Sequence, residues 1–356
     1  MSRQISLAVK YRPKTFDDVV EQDAIKTILL EQIRTKSFKH AYLFCGPAGC
    51  GKTTAARIFA NELNSGMGNP IEVDAASNNG VDNIRDIIEN AKRKSLDSEY
   101  KIYIIDECHM LSTGAWNAML KLLEEPPKST IFIMCTTDPQ KIPATILSRV
   151  QRYDFSKISL DKICDRLAFI MNEEANELFG GRDRAELGDP PDYCFDIAAL
   201  EYIAKLADGG MRDAITMLDK CLSLSTEVTV ESVVKALGTV DYNTHFELLY
   251  QLGSRGAHTA IEIIETVYNS GKDIKQFLKQ FQFFILDVCK YQLFKSFKYT
   301  AIPELPEYKQ LMEDEDYNDL LKALDWARQL NADIKWESNA KAMIETSILM
   351  FCVEGA

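Results

Sequence analysis

Long apolar runs are missing from this sequence, and none approaches the roughly 20 residues that a membrane-spanning helix needs. The first residues, MSRQISLAVKYRPKTF, also lack the apolar stretch of a secretory signal, so a cytoplasmic protein is expected. Nine cysteines are present, at 45, 50, 108, 135, 164, 194, 221, 289 and 352, but no two stand as Cys-x-x-Cys. That spacing argues against a zinc module and a disulfide framework and leaves buried free thiols as the expectation. Basic residues are the scarcer charge, 41 Lys and Arg against 53 Asp and Glu, for a net charge of −12. A broad phosphate-binding surface does not fit that balance; nucleic acid would need a small local patch or positive charge from partner subunits. Low-complexity tracts and internal repeats are absent too.

What is present is a globular composition, 46% hydrophobic and 26% charged, over 356 residues, enough for two or three domains. Up to about residue 155, short apolar strands alternate with amphipathic helices. The strands are expected at Tyr42–Cys45, Ile71–Val73, Lys101–Ile105, Thr130–Cys135 and Arg152–Phe155, with helices near 53–63, 81–94 and 112–124. Strands too apolar to face water imply a parallel sheet covered by helices on both sides. The strand signal ends at Ser159. Helical periodicity follows over Leu160–Glu177, Asp196–Asp208, Met211–Ser223 and Val230–Leu237, interrupted by a polar loop at Gly180–Asp192. From Asp241 the chain is again helical, with an aromatic face that includes Phe277, Phe281 and Phe284 and reads as helix–helix core.

The strongest chemical signal is Gly46-Pro47-Ala48-Gly49-Cys50-Gly51-Lys52-Thr53, after an expected strand and opening an expected helix. This is a phosphate-binding loop: glycines let the backbone N–H groups turn inward, and the helix N-terminus favours an anion. Lys52 would reach the β- and γ-phosphates and Thr53 would ligate Mg²⁺, with Thr54 continuing the site. The second signal is the apolar strand that ends in Asp106 and Glu107. Strand ends of this kind face the ligand edge of a doubly wound sheet. Asp106 would hold the magnesium, and Glu107 would polarise the attacking water.

Further strings make a more specific resemblance. They are the run from Leu7 to Gln22, His40 to Phe44, Ile71 to Asn78, Asp106 to Ser112, Leu122 to Pro127, Thr136 to Pro143, Ser148-Arg149, and Gly210 to Ala214. Over residues 5–240 the chain is similar to the gamma/tau family of bacterial DNA polymerase III, the AAA+ ATPases of sliding-clamp loaders. It resembles the small subunits of replication factor C more distantly. The resemblance implies an AAA+ α/β module at 1–157, a helical lid at 158–239 and a helical collar at 240–356. It implies that ATP and Mg²⁺ drive a circular pentamer that opens a sliding clamp and loads it on primer–template DNA. By the same resemblance, Thr136 or Thr137 senses the γ-phosphate, and Arg149 is an arginine finger for a neighbouring subunit. Arg212 is a second sensor, and Tyr11, Arg12, Pro13, Val19 and Val20 form the adenine-side wall. DNA would be tracked by Ser77–Asn79, Ser112–Thr113 and Lys141.

Three departures from the family qualify this. Asn64 to Pro70 joins a helix directly to a strand where the family usually carries four zinc-binding cysteines, so no zinc is expected. Val150 follows the Ser-Arg pair where cysteine is usual, and the lid has the extra loop at 180–192. With the sequence ending at Ala356, the short gamma form is the expectation. A branch-migration or initiator ATPase, a loader subunit with a dead ATP site and a small-molecule kinase are the rival readings. His109, beside the acidic pair, reads as a packing residue or one that supports a site residue from behind, rather than a metal ligand.

Overall fold

The computed structural model describes residues 5–93, 95, 97–179, 194–237, 242–271, 273–302, 304–314, 316–337 and 339–354; the loop expected at 180–192 lies outside them. The elements run α1 (Leu7–Lys10), α2 (Asp23–Thr35), β1 (Ala41–Cys45), α3 (Lys52–Leu63), β2 (Ile71–Asp74), α4 (Val81–Ala91), β3 (Lys101–Asp106), α5 (Thr113–Glu124), β4 (Thr130–Thr136), α6 (Ala144–Leu147), β5 (Gln151–Asp154) and α7 (Leu160–Phe179). They continue with β6 (Cys194–Phe195), α8 (Ile197–Leu206), α9 (Met211–Leu224), β7 (Glu227–Val228), α10 (Val230–Leu237), α11 (Tyr242–Gly253), α12 (Ala257–Asn269), α13 (Ile274–Phe294), α14 (Pro306–Asp314), α15 (Tyr317–Asp333) and α16 (Ala340–Glu354). The chain divides into two compact units, residues 1–181 with 207–219, and residues 182–206 with 220–356.

The first unit is built on a parallel five-stranded sheet in the order β2-β3-β4-β1-β5. Every residue of β1 and β4 is buried, as a strand covered on both faces requires. Alternation along the strands splits the core in two. Tyr42, Phe44, Ile104 and Ile133 face one side, where Leu29 of α2 and Phe59 of α3 close over them. Leu43, Cys45, Ile105 and Met134 face the other, against Ile84 of α4 and Trp116 and Met119 of α5. Ser112 caps α5, its hydroxyl accepting from the Ala115 amide at 3.2 Å.

Register decides what the sheet presents at its edge. Cys45 pairs with Thr136 and Ile105 with Met134, so the carboxyl ends of β1, β3 and β4 stop at one level. The chain leaves β1, crosses to β2 at the far edge and works back, which opens a crevice beyond these strand ends.

In the second unit the aromatic face of α13 is core, as its spacing suggests. Phe277, Phe281 and Phe284 are buried, and the buried His245 ring stacks on them at centroid distances of 5.1, 5.8 and 5.3 Å. One feature breaks the expected helical run: Cys194–Phe195 and Glu227–Val228 pair in parallel. Two residues are too few to leave a period-2 signal. Asp273 begins α13, its carboxylate accepting from the amides of Lys275 at 2.9 Å and Gln276 at 3.3 Å.

Asp273→Ala removes an N-cap and should lower stability by about 1 kcal/mol, read as a lower urea midpoint at unchanged slope. Seven of the nine cysteines, including Cys45, Cys50, Cys108 and Cys135, are buried, whereas Cys194 is exposed and Cys164 half-buried. Burial pushes the Cys45 thiol up to about 11 and raises Cys50 as well. Thiol titration of the native protein at pH 8 should therefore find rapid reaction confined to Cys194 and Cys164, with Cys50 reacting only on unfolding.

Candidate active site

The loop after β1 takes the conformations only glycine adopts readily. Gly46, Gly49 and Gly51 have φ of 149°, 72° and 100°. A Cβ on Gly46 would lie 2.5 Å from the Phe155 carbonyl, and one on Gly49 would lie 2.9 Å from the Gly210 Cα. A Cβ on Gly51 would meet nothing within 4 Å. Lys52 and Thr53 begin α3. The buried Lys52 ammonium folds back over the loop and donates to the carbonyls of Gly46 and Pro47, both at 2.7 Å. Cys50 faces the core as a buried thiol.

The two strand-end carboxylates sit opposite. Thr53 Oγ1 donates to Asp106 Oδ2 at 2.9 Å, tying the first turn of α3 to the end of β3. Asp106 Oδ1 accepts from the Glu107 amide at 3.0 Å. Glu107 itself has φ 45°, a left-handed turn that ends the strand. Its Oε2 accepts from Thr137 Oγ1 at 2.9 Å. Thr136 is buried and turns the other way, with Oγ1 3.2 Å from His109 Nδ1. Of the two threonines, then, only Thr137 brings its hydroxyl to Glu107. His109 Nδ1 also lies 3.2 Å from Glu107 Oε2. His109 therefore touches a candidate site residue.

Between loop and carboxylates lies a cavity of about 290 Å³. Ala48 to Thr54 form its floor, with Asp106 and Glu107 at one end. Tyr11, Arg12, Pro13, Val19 and Val20 form a wall, and Met211 and Arg212 at the start of α9 face it. The wall is braced from α7: Tyr11 donates its hydroxyl to Glu174 at 2.6 Å, and Arg166 donates to the Tyr11 carbonyl at 3.1 Å. Burial and the Glu174 carboxylate raise the Tyr11 phenol, which stays protonated. Sequence reasoning missed Ala8, Ile158, Arg166, Asp213 and Ile215, which also line the cavity. Arg166 sits in an ordinary amphipathic helix, and nothing local distinguishes it; Asp213 could have been suspected from its place beside Arg212.

Gly46, Pro47, Thr136, Thr137 and Arg149 are not among the lining residues. Arg149, just after α6, is partly exposed and paired with Glu124 at 2.7 Å, while donating to the Thr145 carbonyl at 2.6 Å. The segments Ser77–Asn79 and Ser112–Thr113 are adjacent, since the Ser112 amide donates to the Asn79 carbonyl at 3.2 Å. Lys141 is exposed and paired with Asp138 at 3.1 Å. The residues present fit a magnesium nucleotide. Mg²⁺ is commonly bound by one or two carboxylates together with substrate phosphates, and here Asp106 and the Thr53 hydroxyl share one corner. Among the described residues, no group of three or more His, Cys, Asp or Glu side chains is placed to hold a metal, and no helix is long and apolar enough to cross a membrane.

Residues 69–159 match the family model described as DNA polymerase III, delta subunit. The chain is 35% identical to DNA polymerase III subunit tau of Bacillus subtilis over 366 aligned positions, covering 96% of this chain and 62% of that protein. It is 36% identical to subunit tau of Escherichia coli, over 68% of this chain and 38% of that one. With gamma/tau of Mycoplasma genitalium the figures are 30%, 89% and 54%. The chain thus spans about 40 to 60% of the length of these relatives. Among solved structures, the RuvB Holliday junction branch migration motor of Thermotoga maritima superposes with a TM-score of 0.50 at 19% identity, covering 68% of this chain and 79% of that one. That likeness shows the AAA+ fold alone.

Two glycine substitutions separate backbone strain from close approach. Gly49→Ala and Gly51→Ala each place a side chain at positive φ, costing roughly 1–2 kcal/mol, but only Gly49→Ala also drives a methyl into Gly210. Thermal melts should show the larger loss for Gly49→Ala, with weaker binding of a fluorescent ATP analogue. Equal losses would mean that the Gly49–Gly210 approach matters little.

Proposed function

Given that the chain belongs to the DNA polymerase III tau/gamma family, we propose that it is an ATP-hydrolysing subunit of a sliding-clamp loader. The observation that carries this reading is the cavity itself. One pocket unites a glycine-shaped phosphate loop, an apolar and aromatic wall, the paired carboxylates Asp106 and Glu107, and Arg212. A small-molecule phosphate site would need only the first of these.

The residues divide the work as follows. ATP would lay its adenine against Tyr11, Pro13, Val19 and Val20 and its phosphates along the amides of residues 48–54. Lys52 would exchange its two loop carbonyls for phosphate oxygens, which are stronger acceptors because they carry charge. Mg²⁺ held by Thr53 and Asp106 would supply neutralisation of charge on the β- and γ-phosphates. Glu107 would take the proton of the attacking water, and Thr137 would orient that carboxylate. Arg212 would contact the phosphates within the subunit.

Arg149 lies outside the cavity of its own chain and ends in a partly exposed ion pair. That supports its use by a neighbouring subunit, with Glu124 as the resting partner. An arginine supplied in this way can contribute ~10³-fold or more in rate. We propose three functional parts, the nucleotide module at 1–157, a lid at 158–239 and a collar at 240–356, in a circular pentamer. ATP binding would open the clamp and hydrolysis would release it, closed, on primer–template DNA. With an acidic net charge, DNA contact would use a small surface or positive charge from partner subunits, and the neighbouring segments Ser77–Asn79 and Ser112–Thr113 with Lys141 are the candidates.

Steady-state ATP hydrolysis by the reconstituted assembly tests this reading. Clamp plus primed DNA should stimulate the rate, and Lys52→Ala should abolish it. Arg149→Ala should lower kcat by ~10³-fold while leaving ATP binding to the same subunit intact. A rate indifferent to clamp and DNA, and to Arg149→Ala, would reduce the protein to a phosphate-loop ATPase with no shared site.

A further inference from the structure

The contacts that hold the Glu107 carboxylate fall on one of its two oxygens. Oε2 accepts from Thr137 Oγ1 at 2.9 Å and from the Thr137 amide at 3.4 Å, and it lies 3.2 Å from His109 Nδ1. None of these contacts uses Oε1. The same histidine nitrogen is 3.2 Å from Thr136 Oγ1. That hydroxyl is itself fixed, because it is fully buried and accepts from the Asp138 amide at 3.0 Å. The His109 side chain, only 11% exposed, is therefore wedged between the end of β4 and the carboxylate, although it belongs to the turn after β3.

We propose that His109 is a positioning residue for hydrolysis, one that holds Glu107 Oε2 in place and leaves Oε1 to take the proton from water. This rests on the reading of Glu107 as the water-activating carboxylate. An ionised carboxylate only accepts hydrogen bonds, so a bare lone pair on Nδ1 at 3.2 Å would be repelled, and the proton belongs on Nδ1. From there it serves Thr136 Oγ1 and sets the positive end of an N–H dipole against Oε2.

The backbone supports the arrangement. The left-handed turn at Glu107 is disfavoured for a residue with a side chain. The short helical turn Cys108–Met110 closes on it, with the Met110 amide donating to the Glu107 carbonyl at 2.9 Å. That turn brings residues 107 and 109 to the same side. It accounts for a histidine two residues beyond the carboxylate, on a turn that packing alone would not require to be polar.

The test is ATP turnover by the assembled complex carrying His109→Ala, His109→Asn, His109→Gln or Glu107→Gln, with ATP affinity and melting temperature measured beside it. An asparagine amide nitrogen occupies the place of Nδ1, whereas glutamine reaches the place of Nε2. His109→Ala should lower kcat by roughly 10- to 100-fold, part of the contribution a placed base makes, with KM and ATP affinity unchanged. His109→Asn should recover most of the rate and His109→Gln little of it. In a Glu107→Gln background, His109→Ala should cost nothing further. Wild-type kcat in His109→Ala, beside an inactive Glu107→Gln, would overturn the role of His109 alone. Equal losses in His109→Ala and His109→Asn, tracking a lower melting temperature, would overturn it as merely structural. Hydrolysis that survives Glu107→Gln would overturn the reading of the base, and this proposal with it.

Discussion

Everything chemical in this protein depends on the parallel register of β1, β3 and β4. A parallel sheet aligns like ends, and Cys45 opposite Thr136 with Ile105 opposite Met134 brings three loops to one level. From those ends come the phosphate loop, the two carboxylates and the two threonines. A shift of β3 by one residue would send Asp106 to the opposite face and break its 2.9 Å bond with Thr53. The apolar strands are thus as much a part of the site as the polar residues they carry, since their two-sided burial is what fixes the register.

The proposed nucleotide site would let a mostly acidic chain manage a polyanion. The net charge of −12 is a property of the whole surface, while the proposed recognition of a nucleotide at the cavity would rest on backbone amides, one helix N-terminus and a few cations. Lys52 is buried and prebound to two carbonyls, so it is oriented before any phosphate arrives. Tyr11 is fixed in the same way to Glu174 and Arg166 of α7. These side chains have lost most of their freedom on folding, and binding need not order them again.

The second unit has a different physical basis. Its core is a set of helices sealed by Phe277, Phe281, Phe284 and the stacked His245. Exposed apolar residues, among them Leu349, Met350 and Val353 on α16, remain on its surface. Such residues are compatible with the assembly role proposed for the collar, but the chemistry of the protein does not pass through them.

Much of this was legible in the residues. The strand positions came from apolar runs bounded by turns, and the phosphate loop from glycine spacing, because only glycine tolerates the φ values that the loop adopts. Asp106 and Glu107 were legible only beside the phosphate loop, because an acidic pair at a strand end is by itself as readily a solvated end. Other features depended on separations no local pattern records. Arg166 entered the site because α7 packs beside Tyr11, 155 residues earlier. The choice of Thr137 over Thr136 followed from which way each faces at the end of β4, and His109 met Glu107 through a left-handed turn. Adjacent residues and periodic spacing by themselves determined the elements and the motif chemistry, because those are set by local sterics and by burial. Which oxygen is held, which threonine holds it and which cation closes the wall were decided only by packing, because each is a contact between segments whose distance in sequence bears no relation to their distance in space.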